Sequence, residues 1–163
     1  MEFSLEFSKR MIEAAECLKC DNLTGGKPEA ERAILYLCLI SCEISIKALL
    51  EKAGYNVIPD IKNVSHSFKK LIKLLCTCDF KEGTIDGTAA RLLSISATLT
   101  PQQCPTTVGH VLSFEETSAS IYPNQIRYGE IVSHYPASLM LECAIAVHKW
   151  ASEHIEMIKR KES

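Results

Sequence analysis

The sequence has no excess of charge: 18 Lys and Arg stand against 20 Asp and Glu, a net −2 over 163 residues. No overall positive field therefore recruits nucleic acid or an anionic membrane, although a local basic face survives such averaging. Long apolar runs are missing too. Residues 33–42 form the most apolar run, and Glu43 and Lys47 break it at helical spacing. No stretch is expected to reach the roughly 20 residues that span a bilayer. The first residues, Met1-Glu2-Phe3-Ser4-Leu5-Glu6, place acids where an export signal has basic residues. These absences lead to the expectation of a soluble, cytoplasmic protein with no membrane partner. Internal repeats and low-complexity segments are absent. Gly25-Gly26 lacks the residues that would make it a phosphate-binding loop, and no Gly-x-Ser-x-Gly nucleophile turn occurs.

What is present fits one folded domain over residues 1–163: 47% hydrophobic and 23% charged residues, close to the globular average. There are eight cysteines. Without an export signal they read as small hydrophobes in a reducing compartment, with Cys38, Cys42 and Cys143 inside apolar helical stretches. Cys17-Leu-Lys-Cys20 and Cys76-Thr-Cys78 have the wrong spacing for a common zinc knuckle, and His148 and His154 are not spaced as a metal pair. No metal or cofactor is expected.

Apolar residues recur at three and four positions through most of the chain, the period of an amphipathic helix. A first helix is expected over residues 4–19, with Phe3, Phe7, Met11, Ala14 and Leu18 as its inward stripe. A second is expected over 28–53, opened by Pro28 and stopped by Gly54. Its apolar arc is wide enough to make it a central helix or part of a dimer interface. A loop over 55–64 precedes a third helix over 65–76, with Phe68, Leu71, Ile72 and Leu75 inward. A short helix is expected over 86–97, with strand as the competing reading for Leu92 to Leu99. Residues 99–118, with Pro101, Pro105, Gly109 and several threonines, read as a long loop. A short element over 119–128 and a last helix over 136–160 complete an all-α, up-and-down helical bundle of four to six helices.

Three pieces of this pattern resemble the HEPN domain. The first is the apolar helix 33–50 with Glu43 and, four residues on, Lys47. The second is His66 opening the next helix, His66-Ser-Phe68-Lys-Lys-Leu71. The third is Ile126-Arg127-Tyr128 ahead of a long final helix. The resemblance implies a bundle that is often a homodimer. It also implies association with nucleotidyltransferase-type partners in prokaryotic toxin–antitoxin pairs, and binding of nucleotide or RNA. Many members are metal-independent ribonucleases that use an Arg followed, after four to six residues, by a His. Arg127-Tyr-Gly-Glu-Ile-Val-Ser-His134 is the match here.

The chemistry of that pair is simple. A neutral imidazole at His134 accepts the proton of a ribose 2′-hydroxyl, and the Arg127 guanidinium forks onto phosphate oxygens. Gly129 and the approach of Pro136 argue that the two do not share a helix. The alternative places Arg127 and Tyr128 at a structural corner. Glu43 and Lys47, an i,i+4 pair in an apolar helix, read either as an ion pair fixing register or as a polar patch. In the second case they line a ligand site with His66, Arg127 and Tyr128. His66 alone also suits a helix cap or loop anchor. Two functions thus stand side by side, a binding or regulatory module and a ribonuclease. A third reading is a non-catalytic bundle that docks a protein.

Overall fold

The computed structural model describes residues 2–21, 28–61, 66–81, 107–117 and 136–161. Five α-helices organise them: α1 (Leu5–Asp21), α2 (Pro28–Lys52), α3 (Phe68–Leu75), α4 (Val108–Thr117) and α5 (Ala137–His154). A π-helical turn, Val57–Ile61, lies between α2 and α3. No strand occurs among the described residues, and the chain is an all-α bundle as its apolar periodicity predicts.

α2 is the centre. Leu35, Cys38, Leu39, Cys42, Ile46, Leu49 and Leu50 are all buried, and α1, α3 and α5 pack around it. By length and apolar content α2 could cross a membrane, contrary to the sequence expectation, but within the bundle it is a largely buried core helix. α1 is antiparallel to it, since Phe3 lies at Glu51 and Ser8 at Ser41 and Ser45. α5 runs the same way as α2: the Cys42 thiol adjoins that of Cys143, and Lys52 meets Glu156 at 3.0 Å. Gly54, at φ 91°, ends α2 in the left-handed region that glycine tolerates. There Ala53 O accepts from Lys161 N at 2.8 Å.

Three local expectations are corrected. On α1 the fully buried face is Ser8, Ile12 and Ala15; of the expected stripe Phe3 and Leu18 pack at the edge of the core, whereas Ala14 is exposed and Phe7 is 51% exposed. The cause is polar: the Ser8 hydroxyl finds partners only on the core side, at Ser41 and Ser45. Second, 108–117 is helix where a loop is expected. Val108, Val111 and Leu112 are buried at i, i+3 and i+4, and Thr107 caps the start by accepting from His110 N at 3.0 Å. Burial of those side chains outweighs the weak helix propensity of Gly109. Third, α5 stops at His154 rather than 160. Beyond it the chain turns and pairs with residues 79–81, Lys159 N donating to Asp79 O and Lys81 N to Met157 O, which buries Ile158. The elements expected over 86–97 and 119–128 lie outside the described residues.

Candidate functional site

Glu43 and Lys47 lie one turn apart on α2, only 6% and 5% exposed. Lys47 Nζ donates to Glu43 Oε1 at 2.5 Å. His66, just ahead of α3, brings its Nδ1 to 2.9 and 3.0 Å from the two oxygens of the same carboxylate. The position of His66 follows from local structure. Ser67 caps α3 by accepting from Lys70 N, and Phe68 and Leu71 bury the helix against the core. The imidazole is therefore set at the rim of the bundle, and its side chain is 48% exposed.

The hydrogen bonds fix the tautomer. An ionised carboxylate only accepts, so His66 Nδ1 carries the proton and donates. In the neutral ring the lone pair then sits on Nε2, the arrangement by which a carboxylate orients a histidine. Three of the residues named from sequence for one ligand site, Glu43, Lys47 and His66, thus come together in one cluster. Arg127, Tyr128 and His134 lie outside the described residues.

Sequence reasoning missed two participants. The Phe3 ring lies over Lys47, with Nζ 5.4 Å from its centroid. The Glu51 carboxylate accepts from the backbone N–H groups of Glu2 at 2.7 Å and Phe3 at 2.9 Å. Glu51 was visible as the next i+4 position after Lys47. Phe3, nearly fifty residues away in the chain, gave no local signal.

A second polar cluster joins α1, α2 and α5. Ser8 Oγ is 2.8 Å from Ser41 Oγ, 2.7 Å from Ser45 Oγ and 3.3 Å from His148 Nδ1. Burial, and then Lys9, lower the His148 pKa below its usual 6.5, with Glu6 opposing. Ser8, Ser41 and Ser45 are fully buried, so this cluster is a joint between helices, not a nucleophile open to substrate. His154 is held differently, its Nδ1 donating to Trp150 O at 2.7 Å and its ring stacked on Trp150.

The described cysteines are free thiols. Burial pushes Cys38 up to about 12, and the hydrogen bond to Cys143, then burial, raises Cys42. A thiol held protonated is a poor nucleophile and a poor metal ligand. Among the described residues no group of three or more His, Cys, Asp or Glu side chains converges as a metal site requires.

Fold and site together define an all-α bundle with a charged cluster that reaches the surface through a histidine. A search of protein families, curated proteins and solved structures finds no match to this chain.

Proposed function

We propose that this chain is a HEPN-like binding and regulatory module, homodimeric and cytoplasmic, whose Glu43–Lys47–His66 cluster takes the phosphate of a nucleotide or an RNA strand. The observation that carries the reading is a buried Glu43–Lys47 pair with a half-exposed histidine on its carboxylate. Packing alone does not call for such a pair, because apolar side chains of similar volume hold a core as well or better. Titratable groups clustered where a core meets solvent are typical of binding and reaction sites. Lys47 supplies a compact positive charge and His66 a ring that hydrogen-bonds in either protonation state. In this reading Arg127 forks onto the same phosphate and Tyr128 packs beside it. A nucleotidyltransferase-type protein is the proposed partner.

The test is a titration of the purified chain with adenosine monophosphate and with a short labelled RNA, by calorimetry and fluorescence anisotropy. Saturable binding that weakens at least about tenfold in His66→Ala is the expected result. RNA cleavage that survives a chelator and disappears in Arg127→Ala, His134→Ala would replace the module by a ribonuclease. No binding of either probe removes the ligand reading and leaves a protein-docking bundle. Sedimentation of the same sample reads the dimer.

A further inference from the structure

The segment ahead of α1 is tied down over the site. Glu51 lies one helical turn beyond Lys47, and both oxygens of its carboxylate are occupied by consecutive backbone N–H groups, those of Glu2 and Phe3. Two N–H donors on one carboxylate fix the direction of that backbone. The direction brings the Phe3 ring over Lys47. Lys47 is 5% exposed, while Glu51 and Phe3 are only half-buried, the Phe3 ring packing at the edge of the core.

We infer that residues 2–4 form a gate over the Glu43–Lys47–His66 cluster, latched by Glu51 and closed by the Phe3 ring, and that its opening admits an oxyanion to Lys47. The inference rests on the ligand-site reading of that cluster. The closed state is chemically complete. The Lys47 ammonium gives one N–H to Glu43, and the electron-rich ring face of Phe3 meets the rest of its charge. Moving the ring away leaves N–H donors facing the opening, where a phosphate oxygen is a better acceptor than an aromatic face. The latch is short and partly solvated, so it opens far more readily than the bundle unfolds. Phe3 and Glu51 act as positioning residues.

The experiment is acetylation of the intact chain by N-hydroxysuccinimidyl acetate, with rates read lysine by lysine by mass spectrometry. The exposed Lys149 is the internal standard, and thiol labelling of buried Cys42 and Cys143 reports general loosening. In the wild type Lys47 reacts far more slowly than Lys149. Phe3→Ala and Glu51→Ala should each speed Lys47 by about tenfold, with Lys149 and both thiols unchanged. An unchanged Lys47 rate in both variants overturns the gate. So does a rise accompanied by labelling of Cys42 and Cys143, which would mean that the core itself had opened. Adenosine monophosphate should slow acetylation of Lys47 in Phe3→Ala. Absence of that protection, with the rate increase still present, overturns the admission of an oxyanion and with it the ligand reading, while the strap remains.

Discussion

Glu43 holds both Lys47 and His66 on one buried carboxylate, and that sharing makes the cluster sensitive to single substitutions. Lys47→Met removes the shorter contact and leaves a buried carboxylate without its lysine. The expected loss is about 3–5 kcal/mol of stability by urea unfolding. Glu43→Leu with Lys47→Met should restore most of that loss and still abolish nucleotide binding, which separates holding the bundle together from binding a ligand. His148 supplies a pH dependence of known sign. Its pKa is depressed in the fold, so its contribution is intact above 6.5 and is lost as pH falls from there through the folded value. Stability should therefore drop between neutrality and mild acid, and His148→Asn should flatten that part of the profile. An unchanged slope in the variant would assign the dependence to another group.

At the scale of the elements, α4 is the sharpest claim. Leu112 is fully buried, on a helix that packs against α3 and α5. Leu112→Ala should cost about 2–5 kcal/mol, as for a core leucine, whereas a leucine on a surface loop costs almost nothing. The comparison shows what local sequence can and cannot convey. α2 and α3 were legible because their apolar residues keep the helical period and because Pro28 and Gly54 bound α2, but the start of α3 was expected at 65 with His66 as a possible cap, whereas Ser67 caps a helix that begins at Phe68. α4 was hidden by Gly109 and the neighbouring threonines, whose weak propensity is overridden by contacts with residues distant in the chain. The rotation of α1 was hidden because serine counts as polar in any periodicity, yet Ser8 is buried by hydrogen bonds from another helix. The early end of α5 was hidden because Ile155 and Ile158 continue its apolar pattern while the backbone leaves the helix to pair with 79–81.

In the molecule as a whole, a buried α2 draws a thick apolar core around one charged pair. Its thiols report that arrangement. Cys17, Cys20 and Cys76 are exposed and should react promptly with a thiol reagent, whereas Cys38, Cys42 and Cys143 should react only on unfolding. Prompt labelling of Cys42 would place α2 at a surface. The candidate site was half legible. Glu43 and Lys47 were suggested by their i,i+4 spacing and His66 by the family resemblance, but their convergence with Phe3 and Glu51 depends on how α1 and α3 dock on α2. The most direct measurement is an NMR titration of the wild-type chain with adenosine monophosphate, following the imidazole resonances of all five histidines. Saturable shifts at His66, with the buried His154 unmoved, are the predicted result. A His66 signal that stays fixed at millimolar nucleotide, or shifts spread evenly over every histidine, would contradict it.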